Sequence, residues 1–357
     1  MVCKHPRVAY LGPPGTYTHQ AAAKIFNTNS YSVDHTELIS DVFSRVASGE
    51  ALYGVVPISN STRGLVHATL AAFMGVDQRY LNVRICGEIY VRVNHCLMGH
   101  KAAAGSAGAG TSAGASNVDT ATTAAAVMYT SASGTSTPTP SKPNPERPRS
   151  HPLASLKHIT KVYSHEQALS QCSIFLDAYL RHAERIEVSS TSRAAELAFT
   201  DEKGTSAAIS SVMAADIYNL DILARSIQNA ATNATGFYIL RKAMGDDAFA
   251  QIPQDIPNPA NTTKWKGFAH FVVDEDKPEN LGRIIQTFVT NGAHVVEIHS
   301  QPREGNPFCL DYFITIETGL PMETDSTIEN TVQKASRLAE SFQWLGYWPK
   351  MDWKTSS

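Results

Sequence analysis

The chain has 357 residues, a formal net charge of −3 at pH 7 and a hydrophobic fraction of 43%. This length predicts two or three domains with substantial cores. The nearly balanced charge gives no sign of nucleic-acid or membrane-surface binding. The five cysteines include no CxxC pair, which argues against a zinc ribbon and favours a reducing compartment. Since we see neither a signal-peptide layout nor an apolar run that could cross a membrane, we expect a soluble, cytoplasmic protein.

Short apolar runs alternate with helical patterns along most of the chain. The apolar runs predict strands at residues 7–11, 52–58, 85–98 (one or two strands), 159–163, 185–188, 206–210, 221–224 and 237–240. Helical spacing follows most of these strands, at residues 20–26, 38–48, 65–73, 165–180, 193–199 and 212–218. This alternation predicts an α/β fold with mixed, mostly parallel sheets in two lobes.

Polar loops follow several of the predicted strands. They lie at residues 12–19, 59–64, 189–192, 210–211 and 232–237. Ligands of open α/β sheets bind beyond the carboxyl ends of the strands, so we expect these loops to converge on one cleft between the lobes. Thr235 is the hydroxyl in the last loop that can donate a proton or anchor a ligand. Residues 12–19 (GPPGTYTH) either offer backbone N–H groups to an anion or form an ordinary turn with Thr18 as N-cap.

The helix predicted after residue 163 begins with a capping pattern. Ser164 is the predicted N-cap, and Gln167 completes a capping box. Gln171 lies one turn later on the same face as Gln167. His165 is interpreted as a helix-start residue, because no set of metal ligands surrounds it.

Two stretches differ in composition from the rest. Residues 101–152 are dominated by Ala, Gly, Ser and Thr and then by Pro, which predicts a disordered insertion. Residues 244–265 are rich in Pro and Asn and predict a linker. Beyond them the predicted order is strand 267–273, helix 279–290, strands 292–300 and 308–318, and helix 327–342. This βαββα order is typical of a ferredoxin-like module.

Four motifs together resemble those of prephenate dehydratases. They are residues 11–22 (LGPPGTYTHQAA), 56–64 (VPISNSTRG), 163–172 (YSHEQALSQC) and 233–237 (NATGF), in the family's order and spacing. The resemblance covers nearly the whole chain apart from the insertion, and its layout is most similar to fungal members. It implies a two-lobed, periplasmic-binding-protein-like catalytic domain at 1–243 and an ACT regulatory domain at 266–320. Residues 321–357 are then a C-terminal helix and tail.

The resemblance implies decarboxylation and dehydration of prephenate to phenylpyruvate, without a metal or an organic cofactor. The family's essential residues carry over to Thr235, Asn60, Gln171 and Ser164. Residues expected to contact the two carboxylates of the substrate or its ring are Gly15, Thr16, Ser61, Thr191, Phe237, Arg63 and Arg193. Aromatisation of the ring supplies the driving force, so the protein need only orient the substrate and stabilise the departing hydroxide.

The chain departs from the family pattern beside the predicted catalytic threonine. The family's Arg is Gly236 here, and the Glu before Asn60 is Ser59. The first change is expected to remove a cation next to Thr235, and the two together are interpreted as a paired loss of opposite charges. We hypothesise that Arg63 or Arg193 supplies the missing positive charge; the alternative is that both are solvated surface residues.

The resemblance also implies regulation and assembly. Leu281, His299 and Ser300 correspond to the family's phenylalanine-binding segments, although neighbouring residues differ. ACT modules pair edge to edge, so we expect a homodimer or homotetramer with L-phenylalanine as effector. Two alternatives stay open: arogenate dehydratase, and a catalytically weakened paralogue that senses aromatic metabolites.

Overall fold

The computed structural model describes residues 5–74, 80–101, 147–243, 253, 256, 263–303, 305–319 and 326–353. The strands are β1 Arg7–Leu11, β2 Ser32–Thr36, β3 Tyr53–Asn60, β4 Gly64–Leu65, β5 Val83–Arg92, β6 Cys96–Gly99, β7 Lys161–Ser164, β8 Glu184–Glu187, β9 Ser206–Ser210, β10 Asp221–Ala224, β11 Ala234–Lys242, β12 Trp265–Val272, β13 His294–Arg303, β14 Asn306–Thr318 and β15 Ser341–Pro349. The helices are α1 Tyr17–Ile25, α2 Ile39–Ser48, α3 His67–Met74, α4 Glu166–Gln171, α5 Ser173–Tyr179, α6 Thr191–Phe199, α7 Val212–Ile217, α8 Asn280–Thr290 and α9 Ser326–Ser336.

The chain forms two compact units. The first contains Met1–Val93 and Thr232–Ser357, and the second contains Asn94–Ala231. The predicted α/β class with two lobes is therefore confirmed, and the chain passes from one unit into the other within the segment 85–98. Most of the predicted insertion, at 102–146, and most of the predicted linker, at 244–252, 254–255 and 257–262, lie outside the described residues.

Within its described residues, the first unit has one sheet with the strand order β13-β14-β12-β15-β5-β11-β3-β1-β2, and β4 pairs with β3. Strand β11 is antiparallel to both of its neighbours, β3 and β5, whereas β1 is parallel to β2 and β3. The sheet is mixed as predicted, but the expectation of mostly parallel pairing is wrong. The reason is that β11 enters the sheet after the chain has passed through the second unit, and not through a local strand–helix–strand crossover.

The second unit has a smaller sheet with the order β10-β6-β9-β7-β8 among the described strands. Here β7 is parallel to β8 and β9, and β6 is antiparallel to β9 and β10. Apolar clusters that draw on different strands and helices fill this unit, one around Phe175 and Leu176 and the other around Ala194 and Ala208.

Two predicted helix starts and one predicted helix need correction. The N-cap of α1 is Thr16, which accepts a bond from the backbone N–H of His19, while Thr18 is buried inside the helix. The N-cap of α4 is His165, whose Nδ1 accepts from the backbone N–H of Gln167. Ser164 ends strand β7 instead. The single helix predicted over 165–180 is divided into α4 and α5 at Cys172. A cap is decided by which side chain reaches the first free N–H groups, and several neighbouring residues compete for that position.

The C-terminal module has one strand more than predicted. Helix α9 ends at Ser336, and Ser341–Pro349, expected as helix end and tail, is strand β15. β15 pairs with β12 and completes the order β13-β14-β12-β15 of a ferredoxin-like βαββαβ module. Its aromatic residues suit a strand that is buried on both faces. The register also joins Gly346 to Ile85 of β5, so the sheet of the module continues into the strands that precede it.

Candidate active site

The predicted catalytic pair lies on two adjacent strands of the first unit. Thr235, at the start of β11, is directly opposite Asn60, at the end of β3. Asn60 Nδ2 donates to Thr235 Oγ1 and to Asn233 Oδ1, both at 2.9 Å. Because Thr235 Oγ1 accepts this bond, the proton of its hydroxyl can be donated to a ligand.

The loop after β3 fixes the orientation of the Asn60 amide. Thr62 donates to Asn60 Oδ1 through its hydroxyl at 2.7 Å and its backbone N–H at 3.0 Å. Ser61 accepts from the backbone N–H of Ala234 at 3.0 Å and ties this loop to β11. With two donors on its oxygen and two acceptors on its nitrogen, the Asn60 side chain is held in one orientation. The structure thus shows Thr235 and Asn60 in contact, and their catalytic role stays a prediction.

Gly236 and Ser59 lie on the other face of the same strand pair. They are opposite each other in register, and Gly236 also pairs with Tyr90. A Cβ on Gly236 would lie 3.2 Å from Ser59 Oγ and 3.1 Å from the Tyr90 ring. Since successive side chains of a strand point to opposite faces, a larger side chain here would point away from the Thr235 hydroxyl. The two departures from the family pattern are paired in space, but the expectation of a lost cation beside Thr235 is not supported.

The Gly-rich turn before α1 uses some of its donors internally. The backbone N–H of Gly15 donates to His19 Nδ1 at 3.1 Å, and Thr16 Oγ1 donates to the Pro13 carbonyl at 3.0 Å. Burial and the nearby His35 lower the pKa of His19, which favours the neutral ring that accepts from Gly15. Gly12 and Gly15 adopt φ of 84° and 90°, a conformation that favours glycine.

Ser164 and Gln171 belong to the second unit. Ser164 is fully buried and donates to the Ile209 carbonyl at 2.7 Å, so it holds β7 against β9. Gln171, the last residue of α4, bonds through its Oε1 to His95 Nε2 at 3.0 Å. Convergence of these residues with the Thr235 pair on one cleft stays a prediction.

His95 is a buried polar residue that the sequence interpretation missed. It is 3% exposed, and burial lowers its pKa to about 4. The neutral ring therefore donates from Nε2 to the Gln171 oxygen, and its backbone N–H donates to Gln228 Oε1 at 3.0 Å. A histidine next to an asparagine between two apolar strand segments, at 94–95, is the only signal that the sequence offers.

We expect His95 to make stability depend on pH. The unfolded chain binds a proton at this residue below about pH 6.5, whereas the folded chain does so only near pH 4. Folding stability must therefore fall as the pH is lowered through this window. His95→Gln should reduce the loss between pH 7 and pH 4.5 by roughly 2 kcal/mol. Urea unfolding followed by circular dichroism at both pH values measures this loss, and equal losses in the two proteins would contradict the prediction.

The other predicted substrate contacts are dispersed. Phe237 is 1% exposed and packs in a core cluster with Ile89 and Val91. Thr191 is the first residue of α6, after the N-cap Ser190. Arg193 is paired with Glu196 at 2.7 Å, and Arg63 is exposed in the loop after β3.

The predicted effector residues lie on different parts of the C-terminal module. His299 pairs with Phe313 and Ser300 with Tyr312 along β13 and β14, so His299 and Ser300 point to opposite faces. Leu281 packs against the core cluster beneath the module's helices. Within one chain, these residues are therefore not brought together.

The part of the chain that the structure describes shows no group of three or more His, Cys, Asp or Glu side chains placed to hold a metal ion. None of its helices is long and apolar enough to span a membrane. The described cysteines are not joined in disulfides; they are Cys86, Cys96, Cys172 and Cys309.

The sequence of this chain is similar to that of a known protein family. A family model described as prephenate dehydratase matches residues 8–107 and 149–245, more than half of the chain. The bifunctional chorismate mutase/prephenate dehydratase of Stutzerimonas stutzeri is 29% identical over 344 residues, which cover 96% of this chain and 73% of that protein.

Solved structures share the fold over almost the whole chain. A prephenate dehydratase from Arthrobacter aurescens, in complex with L-Phe, matches with a TM-score of 0.69 at 22% identity and covers 97% of this chain and 91% of its own. GqqA, described as a quorum quenching acylase, matches with a TM-score of 0.66 at 19% identity and covers 98% and 99%. At these identities the structures establish the fold alone, because one fold hosts different activities. The family match rests on the sequence itself, and from it we conclude that the chain belongs to the prephenate dehydratase family.

Proposed function

We propose that Thr235 supplies the hydroxyl with which this dehydratase stabilises the departing hydroxide as prephenate is converted to phenylpyruvate, CO2 and water. The observation that carries the proposal is the bond from Asn60 Nδ2 to Thr235 Oγ1 at 2.9 Å. Asn60 orients the threonine oxygen as an acceptor, so the threonine proton is directed toward a bound substrate. A pre-oriented donor costs no reorganisation when charge develops on the leaving oxygen.

The bond changes balance without a redox partner. The ring carboxylate leaves as CO2, and its electron pair enters the ring as the carbon–oxygen bond breaks. The oxygen leaves as hydroxide and takes up one proton to become water. The energy for this step comes from aromatisation, so the residues need only align the two leaving groups and stabilise the oxyanion. Gln171 and the Gly15–Thr16 turn are proposed to contribute to substrate positioning, whereas Ser164, whose buried hydroxyl donates to the Ile209 carbonyl, is proposed to act indirectly by holding β7 in place.

The direct test is formation of phenylpyruvate from prephenate by the purified protein. Arogenate is assayed in parallel, because it undergoes the same chemistry and yields phenylalanine. Turnover of either substrate rules out the alternative of a paralogue that only binds aromatic metabolites. The small residues Gly236 and Ser59 are the sequence features that favour that alternative, but they lie on the face away from the Thr235 hydroxyl. Their location therefore favours an active enzyme.

Arg63 is the proposed cation for one carboxylate of the substrate. It directly follows the segment that holds Asn60, and it is exposed, whereas Arg193 already pairs with Glu196 at 2.7 Å. We expect Arg63→Gln to raise KM by about five- to tenfold with little change in kcat. The reason is that the pyruvyl carboxylate, which Arg63 is proposed to bind, keeps its charge in both the ground state and the transition state.

Arg193→Gln is the matched control for Arg63→Gln. Its KM should stay within about twofold of the parent value, since exposed pairs contribute little. Steady-state kinetics with prephenate measure both variants. An unchanged KM in Arg63→Gln would show that other groups bind the carboxylates.

We also propose that the C-terminal module is an ACT domain that pairs with a second copy and responds to L-phenylalanine. Strand β13 lies at the edge of the sheet, and Val296, Ile298 and, on α8, Val289 are 44%, 42% and 48% exposed. An apolar edge strand readily pairs with another chain. The Arthrobacter aurescens relative was solved with L-Phe bound, which supports the choice of effector.

Light scattering with and without L-phenylalanine tests the assembly as a homodimer or homotetramer. The fungal-type layout and a cytoplasmic location stay predictions.

A further inference from the structure

A cavity of about 500 Å³ lies on the Gly236 face of the catalytic strand pair. Its lining includes Ser59, Gly236 and Tyr90 from the strands and Glu297, His299 and Trp353 from the C-terminal module. The volume falls within the range of small-molecule sites in proteins. Asn60, Ser61 and Ala234 also line the cavity, although Thr235 does not, so the cavity adjoins the strand pair that carries the proposed catalytic hydroxyl.

Small residues at two paired positions contribute to this space. Gly236 and Ser59 are direct partners across β11 and β3, and any side chain at position 236 would start 3.1 to 3.2 Å from Tyr90 and Ser59. The family resemblance places an arginine and a glutamate at these two positions. In this chain both longer side chains are absent, so the space that they would fill at these two paired positions is open.

The charge that faces the cavity is mainly that of Glu297. Among the described residues, the Glu297 carboxylate lies 3.5 Å from His299 Nε2, and the Glu297 side chain is 59% exposed. The buried Glu88 beneath Tyr90 is different, since Lys266 Nζ lies 2.9 Å from its carboxylate and Tyr90 donates to it at 3.1 Å. Glu88 is therefore compensated within the protein, and Glu297 is the group that can attract a cation from solution.

The remaining walls suit an apolar or aromatic body. Leu65 and Trp353 line the cavity beside Tyr90, and the faces of aromatic rings attract organic cations as well as apolar groups. From this combination we infer that the cavity binds a small organic cation, a primary ammonium on an aromatic body, with the ammonium at Glu297. The inference does not depend on the catalytic role of Thr235.

Calorimetric titration of the full chain with phenethylamine tests the site, with 3-phenylpropanol as a neutral probe of similar shape. We expect phenethylamine to bind and 3-phenylpropanol to bind at least about tenfold more weakly, since a hydrogen bond to a charged group is among the stronger ones. Glu297→Gln should weaken phenethylamine binding by about tenfold. Glu329→Gln on α9, which replaces another exposed glutamate of the module, should leave it unchanged.

Gly236→Arg gives a second, independent readout, because it fills the cavity and brings a cation toward Glu297 without removing a polar group. We expect this variant to lose phenethylamine binding; Trp353→Ala, at an exposed position, should weaken it if Gly236→Arg does not fold. Equal binding of the two probes, unchanged binding in Glu297→Gln, or no binding of phenethylamine to the parent chain would overturn the inference. Binding that persists in folded Gly236→Arg would place the ligand outside this cavity and would also overturn the inference.

Discussion

Thr235→Ala is expected to lower kcat for prephenate by roughly 10²- to 10⁴-fold, the range for a lost proton-donating group. KM should change little, because the hydroxyl acts on charge that develops only as the carbon–oxygen bond breaks. The Asn60 amide would lose the acceptor that lies 2.9 Å from its Nδ2, but it keeps Asn233 Oδ1. Phenylpyruvate formation under saturating prephenate measures the effect.

Thr235→Ser separates the hydroxyl from the rest of the side chain. It keeps the oxygen that accepts from Asn60, so it should retain much more activity than the alanine variant. Thr200→Ala, at the C-terminal end of α6 where the threonine hydroxyl donates to the Leu197 carbonyl at 3.1 Å, serves as the matched control and should keep the parent kcat. If Thr235→Ala stays within a few-fold of the control, the leaving hydroxide is stabilised by another group.

Gly346→Ala is expected to cause the largest loss of stability. A Cβ at this position would lie 2.2 Å from the carbonyl oxygen of Ile85, a backbone atom that cannot rotate away. Strand β15 must then separate from β5, next to the fully buried Trp348. We expect the free energy of unfolding to fall by about 3 kcal/mol, the upper part of the range for overpacked cores.

Urea unfolding followed by tryptophan fluorescence measures this loss, since all four tryptophans (265, 344, 348 and 353) lie in the first unit. Gly282→Ala in α8 is the matched control. Nothing lies within 4 Å of a Cβ there, and alanine favours a helix over glycine by up to about 1 kcal/mol. An unchanged midpoint in Gly346→Ala would show that the β15–β5 junction adds little to stability.

The local sequence was sufficient for the existence and type of most elements. The runs that become β1, β3, β9 and β11 are short, apolar and bounded by polar or glycine residues, and such patterns reflect burial directly. The motif order also identified Thr235 and Asn60, and these residues are in contact in the structure. Burial and motif spacing depend on neighbouring residues in the chain, so they can be read from the sequence alone.

Strand pairing and the composition of buried sites required the tertiary structure. Strand β15 was missed because its aromatic residues are equally compatible with a helix end, and only pairing with β12 and β5 makes them a strand. His95 could not be identified from the sequence either, because its hydrogen bond is made to Gln171, 76 residues away. The face on which Gly236 lies depends on its register with Ser59 and Tyr90.

The sequence by itself determined the family, the class of fold and the threonine–asparagine pair. Only the tertiary structure decided which groups face one another, because the strands that pair lie far apart in the chain and their pairing depends on packing across the whole fold.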